Sequence, residues 1–165
     1  MQFLHQSGIH CNAYYEIALH FTFLIEIYII IKVYLRKTMP KILIADDEPS
    51  LRLLVRATLS ANKSFDLLEA TDGTEALNKA QKELPELILL DVMMPGLSGF
   101  EVCERLKNDP KTKDIIIIML TAKGQQSDRD WAISIGTDYF LTKPFSPIEL
   151  FNLIEKILSR SRVED

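Results

Sequence analysis

Histidine is missing from most of this chain: His5, His10 and His20 all precede Met39, and no imidazole follows. Histidine-based catalysis, and phosphohistidine formation on the chain's own side chains, are excluded over that whole stretch. Cysteine is almost as scarce. Cys11 and Cys103 stand far apart in different segments, which suggests neither a disulfide framework nor a zinc site and fits a reducing cytosol. A basic excess is also lacking. The 19 Lys and Arg against 23 Asp and Glu leave a net charge of -4, so no electrostatic case exists for binding nucleic acid. No internal repeat, low-complexity tract or linker is visible after Met39. What remains, 165 residues at 47% hydrophobic and 25% charged, suits one globular domain with a proper core.

Residues 1–38 differ in kind from the rest and form a hydrophobic N-terminal extension. From Phe21 to Leu35 nearly every residue is apolar, aromatic or β-branched, interrupted by Thr22, Glu26 and Lys32. A membrane-spanning helix needs about 20 mostly apolar residues. Ile17 to Leu35 nearly reaches that, but an ionised Glu26 near the bilayer centre costs roughly 3 kcal/mol. If the segment spans, Lys32, Arg36 and Lys37 place the following domain on the cytoplasmic side. No basic leader region or small-residue cleavage site frames a secretory signal. Met39-Pro40-Lys41 sits where a complete domain would naturally start. Three readings stay open: an upstream start not used in the cell, a membrane anchor, or an extra packed helix. The expected location is cytoplasmic, tethered to a membrane only if residues 17–35 anchor it.

After Met39, short apolar runs alternate with longer amphipathic ones. Lys41–Ala45 reads as a strand ending at Asp46-Asp47-Glu48, and Pro49 opens a helix with Leu51, Leu54, Val55 and Leu59 on one face. Phe65–Ala70 is a second strand, and Asp72 caps a helix running to about Glu83 with Ala76, Leu77 and Ala80 inward. Leu87–Leu90 is a third strand, buried on both faces, that delivers Asp91 at its end before the Pro95-Gly96 turn. Ser98-Gly99-Phe100-Glu101 has the form of a capping box for a helix that Asn108-Asp109-Pro110 ends. Ile115–Leu120 is a fourth strand ending in Thr121-Ala122, followed by a more polar helix from about Gln125 to Ile135, closed by Gly136. Tyr139–Leu141 is a short fifth strand ending at Thr142-Lys143-Pro144. Ser146-Pro147-Ile148-Glu149 then starts a last helix that buries Leu150, Ile154, Ile157 and Leu158. Five strands alternating with five helices predict an α/β domain with a doubly wound parallel sheet.

In such a sheet Asp46, Asp47, Asp91, Thr121 and Lys143 all project from one edge, where ligands bind. Three carboxylates there raise one another's pKa unless a cation intervenes. A hard divalent ion held by oxygen ligands, Mg2+ above all, resolves that conflict, and no zinc-type donor set is present. A hydroxyl and an ammonium facing the same point cradle phosphoryl oxygens. Asp91, the most central carboxylate, is the best nucleophile, while the adjacent Asp46 and Asp47 suit metal holding. Each residue alone has an ordinary explanation as a helix cap, a turn hydroxyl or a solvated lysine. Their order at successive strand ends does not.

Ile44-Ala45-Asp46-Asp47-Glu48, Leu90-Asp91-Val92-Met93-Met94-Pro95-Gly96-Leu97-Ser98-Gly99, Thr121-Ala122-Lys123 and Leu141-Thr142-Lys143-Pro144-Phe145 together give a strong resemblance. Residues 40–160 resemble the receiver domain of two-component response regulators. The resemblance implies a flavodoxin-like sheet of order 2-1-3-4-5. It implies that Asp91 accepts a phosphoryl group from a histidine kinase or histidine phosphotransfer protein, and that Asp47, Asp91 and the main-chain carbonyl of Met93 hold Mg2+. Asp46 would orient a metal-bound water. Lys143, before a cis peptide bond to Pro144, would pair with Asp91 and then with the phosphoryl group. Thr121 would move toward the phosphoryl group and Phe140 would swing inward behind it, remodelling a protein-binding face; an ordinary core phenylalanine is the plain alternative for Phe140. Met93 and Lys123 flank the phosphoryl position and would tune the lifetime of the acyl phosphate. Trp131 is either a partner contact on the switched face or a packing residue.

The expected organisation is a receiver over residues 39–160, a short tail over 161–165 and no output domain. The chain then acts as a single-domain response regulator. It is a signalling protein that catalyses only its own phosphorylation and dephosphorylation, for a downstream protein effector still to be named. Two rivals remain. Haloacid-dehalogenase-like phosphohydrolases share the aspartyl phosphate, Mg2+, Thr and Lys, but carry an Asp-x-Asp nucleophile motif after the first strand, where this chain has Asp46-Asp47-Glu48. The other rival is a receiver-like interaction module that works without phosphorylation.

Overall fold

Five short runs, apolar at most of their positions, pair into one parallel sheet. The computed structural model describes residues 22–30, 39–61, 65–122 and 134–161. The strands are β1 (Lys41–Ala45), β2 (Asp66–Ala70), β3 (Leu87–Asp91), β4 (Ile116–Ala122) and β5 (Tyr139–Lys143), in the order β2-β1-β3-β4-β5. The helices described with them are α1 (Pro49–Ser60), α2 (Gly73–Glu83), α3 (Gly99–Asn108) and α4 (Pro147–Ser161). The chain runs from β1 outward to β2, then back past β1 to β3. That reversal opens a crevice beyond the carboxyl ends of β1 and β3.

The strands are apolar on both faces because both faces are covered. Leu43, Ala45, Ile88, Leu90, Ile117 and Met119 pack on one side with Ala76, Leu77 and Ala80 of α2 and Val102, Cys103 and Leu106 of α3. Ile42, Ile44, Leu87, Leu89, Ile118, Leu120 and Leu141 pack on the other with Val55 and Leu59 of α1 and Leu150, Ile154, Ile157 and Leu158 of α4. Each fully buried aliphatic side chain contributes roughly 1.5–3 kcal/mol. Cys103 is a free, buried thiol whose pKa burial pushes up, which keeps it a small apolar packing group.

Most local expectations hold. Asp72 accepts from the Glu75 N–H at 2.8 Å. Ser98 and Glu101 form the full capping box, and Ser146 accepts from the Glu149 N–H at 3.0 Å. Pro49 occupies the first turn of α1. Leu54 differs from expectation. It stands 42% exposed, because α1 turns Val55 and Leu59 inward and leaves Leu53 and Leu54 toward solvent. Strands β4 and β5 also run further than their apolar runs. Thr121 and Lys143 belong to the ladder itself, since Thr121 pairs with Thr142 and Ala122 with Lys143.

Of the helix expected at 125–135, residues 123–133 lie outside the described residues; Ser134 is helical and Gly136 has φ +90°. The expectations for Lys123 and Trp131 fall outside them too. Chain contacts divide the protein into two compact units, Met1–Met39 and Pro40–Asp165. In the first, residues 22–30 are helical, with Phe23, Leu24, Ile25, Tyr28, Ile29 and Ile30 exposed. No helix among the described residues is long and apolar enough to cross a membrane.

Candidate functional site

The strand registers set the site out in steps. Ala45 lies opposite Leu90, so Asp46 stands level with Asp91, one residue beyond each. Asp91 pairs with Leu120, which puts Thr121 one residue further out, and Leu120 pairs with Leu141, which puts Lys143 two further. At about 3.3 Å per residue, Lys143 starts highest on the edge and its long stem reaches back over the carboxylates.

The Lys143 ammonium bridges them. Its Nζ lies 2.7 Å from Asp46 Oδ2 and 2.9 Å from Asp91 Oδ1. The Lys143–Pro144 peptide bond is cis. Asp46 is 1% exposed and held at four atoms. Its N–H donates to Ala70 O at 3.2 Å, its carbonyl accepts from Arg52 Nη1 at 2.7 Å, Oδ1 accepts from the Glu48 N–H at 2.8 Å, and Oδ2 takes Lys143. Asp47, by contrast, is exposed. Carboxylate oxygens of Asp46, Asp47 and Asp91 all lie within 4.8 Å of one another.

Among the described residues, one ammonium bonds to these three clustered carboxylates, which leaves an excess of negative charge. Burial pushes the Asp91 carboxyl above the ordinary aspartate value, against the pull of Lys143, and the Asp46 charge pushes the same way. Burial also works against the Lys143 charge, but its bonds to Asp46 and Asp91 outweigh it and hold the lysine above its usual value. The Asp91 shift is thus chiefly one of burial, while the Lys143 shift comes from its two carboxylate partners. A cluster of oxygen donors with unmet negative charge fits a hard divalent ion such as Mg2+ and gives nitrogen- or sulfur-seeking metals nothing.

Alternation sorts the remaining candidates. Met119 packs on the α2–α3 side and Leu120 on the other, so Thr121, which is half-buried, falls on the Met119 side. Phe140 pairs with Met119 and packs against that same cluster. Thr121 and Phe140 therefore share one face, while Asp46, Asp91 and Lys143 share the other register. The Met93 side chain, two residues after Asp91, is 75% exposed. Two contributors were not singled out in the sequence. Arg52 gives no local signal, because its contact with the Asp46 carbonyl depends on how α1 packs. Gly99 carries a weak one, a glycine inside a capping box, and its α-carbon lies against the main chain of Asp91.

The family model of the response regulator receiver domain matches residues 42–155. The chain belongs to that family. Among curated relatives, the receiver is 40% identical over 126 residues to the phosphate regulon transcriptional regulatory protein PhoB of Rhizobium meliloti, covering 76% of this chain and 55% of that protein. It is 43% identical over 123 residues to the alkaline phosphatase synthesis transcriptional regulatory protein PhoP of Bacillus subtilis, covering 74% and 50%. The chain thus spans about half the length of the curated relatives it matches. Among solved structures, the chemotaxis response regulator CheY4 of Vibrio cholerae superimposes with a TM-score of 0.68 at 34% identity, covering 73% of this chain and 99% of that one. Receiver domains are signalling modules of two-component systems that interact with histidine kinases, not enzymes of the ordinary kind.

Proposed function

We propose that this receiver accepts a phosphoryl group on Asp91 from the phosphohistidine of a sensor kinase or phosphotransfer protein, and thereby switches a protein-binding surface. The observation that carries this reading is the Lys143 ammonium, 2.9 Å from Asp91 Oδ1 and 2.7 Å from Asp46 Oδ2. It already stands where the oxygens of an arriving phosphoryl group would need neutralising. An Asp91 oxygen forms the new P–O bond as the donor's P–N bond breaks and the imidazole leaves with that bond's electron pair. Asp46, Asp47, Asp91 and the Met93 carbonyl are the groups that would hold Mg2+. The ion supplies positive charge that lets the carboxylates ionise together and offsets charge on the transferred group.

Thr121 is the hydroxyl available to the phosphoryl group from the next strand. Phe140, on the same face of the sheet, packs against the α2–α3 core cluster, which supports a switch transmitted through packing. Phe140 lacks a hydroxyl, so its two positions differ in what the ring contacts and not in a hydrogen bond. The surface so changed acts on a protein partner. The named relatives are transcriptional regulators, so control of transcription is one output such a surface would serve.

A small acyl-phosphate donor with Mg2+ tests the reading. The expected result is stoichiometric, self-limiting labelling that is lost in Asp91→Asn. Sustained turnover of an external phosphate ester would instead indicate a phosphohydrolase, and absence of labelling a module that works unphosphorylated.

A further inference from the structure

We propose that Arg52 is a positioning residue that sets the divalent-cation affinity of the Asp46–Asp47 pair, an inference that rests on the acidic cluster being a metal site. The Arg52 side chain, at the end of the first turn of α1, is 13% exposed. A guanidinium that far from water needs good partners for its donors. Its Nε is buried without a hydrogen-bond partner and stands 3.6 Å from Glu69 Oε2, a carboxylate whose Oε1 is taken by Arg56 Nη1. The bond Arg52 does make well is the 2.7 Å donation from Nη1 to the Asp46 carbonyl. Ion pairing with Glu69 alone would favour a rotamer that satisfies Nε. The observed one satisfies Asp46.

The Asp46 carbonyl belongs to the peptide unit joining Asp46 to Asp47. Holding that oxygen fixes the plane of the unit, and so fixes where the Asp47 α-carbon and its exposed carboxylate stand relative to Asp46 and Asp91. Of the other three anchors of Asp46, those from Ala70 and Lys143 do not involve that unit, and the Oδ1–Glu48 N–H bond closes a turn around it without touching its oxygen, so the Arg52 bond is the one made to the unit's own carbonyl. Glu69 Oε2 keeps the guanidinium turned toward the site, and Glu69 is itself in register with Ile44 on β1. Groups outside the coordinating set that orient metal ligands in this way commonly govern affinity.

The test is Mg2+ binding to the full chain by isothermal titration calorimetry, at a temperature where circular dichroism shows each variant folded. Arg52→Met keeps the aliphatic bulk and removes the donors. It is expected to weaken Mg2+ binding about 3- to 10-fold, the effect of losing one hydrogen bond of ordinary strength. Arg52→Gln, shorter and uncharged, serves if the methionine variant does not fold, with the same expectation. Leu59→Ala, a cavity in the buried face of the same helix, is expected to lower Tm at least as far yet leave Mg2+ affinity unchanged. Wild-type affinity in a folded Arg52 variant, or equal weakening in Leu59→Ala, would overturn the inference. A wild-type chain that binds no Mg2+ would overturn the metal-site reading and this inference with it.

Discussion

Gly99 lies with its α-carbon directly against the main-chain carbonyl of Asp91. A β-carbon built there would stand 2.1 Å from the carbonyl oxygen and 2.9 Å from the carbonyl carbon of Asp91, and 3.1 Å from the α-carbon of Val92. The approach is clamped by the Gly99 N–H donating to Val92 O at 3.0 Å, so α3 starts on the loop that leaves the candidate phosphorylation site. All three obstructing atoms are backbone, which cannot swing aside as a side chain would. Gly99→Ala is therefore expected to cost about 2 kcal/mol or more, as overpacking against an unyielding neighbour does. Urea unfolding measures this. The displaced Asp91 main chain should also slow phosphodonor labelling in the fraction that remains folded. A variant with wild-type stability and labelling would show that α3 moves away without consequence.

Among the described residues, Lys143 is the one cation hydrogen-bonded to both Asp46 and Asp91, and those partners are 1% and 10% exposed against its own 25%. Removing one member of a mostly buried pair leaves uncompensated charge and costs about 3–5 kcal/mol. Lys143→Met should approach that loss at pH 7 in the presence of EDTA. The loss should shrink as the pH is lowered through the range where Asp91, held above the ordinary aspartate value chiefly by burial, protonates, since a neutral acid no longer needs the ammonium. Added Mg2+ should restore part of it at pH 7. Denaturant midpoints at two pH values, with and without the ion, give the full comparison, and a loss independent of both would point to packing of the lysine stem.

The fold and the site were not legible in the sequence to the same depth. Carboxylates placed directly after apolar runs marked the ends of β1 and β3, and helix caps at Asp72, Ser98 and Ser146 marked the starts of the helices. Both signals are local, so they survive without knowledge of the fold. The ends of β4 and β5 were less visible. Thr121 and Lys143 are polar, and only pairing with the neighbouring strand keeps them in the sheet. The outward turn of Leu54 reflects which side of α1 meets the sheet, a tertiary choice that an apolar stripe including Leu53 and Leu54 leaves ambiguous. Arg52 was invisible for the same reason, since six residues separate it from the carbonyl it holds.

Asp91 should make the metal-free protein less stable at neutral pH than at moderately acidic pH. Its folded-state pKa lies above the ordinary aspartate value, chiefly through burial, so the folded chain holds that proton more tightly than the unfolded one. Stability is then lost as pH rises from the unfolded pKa through the folded one, and stays lost above it. Asp91→Asn removes the ionisation. In EDTA at pH 7 its Tm should exceed the wild-type value. Mg2+ should raise the wild-type Tm and raise that of the variant far less. Scanning calorimetry reads both; a variant that melts below wild type in EDTA would mean that the Lys143–Asp91 attraction outweighs the burial.

Glu75 carries the opposite dependence, away from the site. Its carboxylate accepts from Lys79 Nζ at 2.7 Å, from the Thr71 N–H at 2.7 Å and from Thr71 Oγ1 at 2.9 Å, and the lysine bond first, then the backbone bond, lower its pKa from 4.5 to about 2. A depressed folded-state pKa gives stability that is present above the unfolded value and is lost as pH falls through the folded one. The window here runs from 4.5 down to about 2. The group is largely solvated, so screening keeps the size of the effect small. Glu75→Gln should therefore be slightly less stable than wild type at pH 6, and the gap should close across that window until the two unfold alike near its lower end. High salt should narrow the gap at pH 6 without abolishing it, because the bond from the Thr71 N–H is a hydrogen bond to charge and is not screened as a distant ion pair is. Urea titrations of both proteins across the window, at low and high salt, decide it; a gap that stays constant with pH would assign Glu75 a packing role at the start of α2.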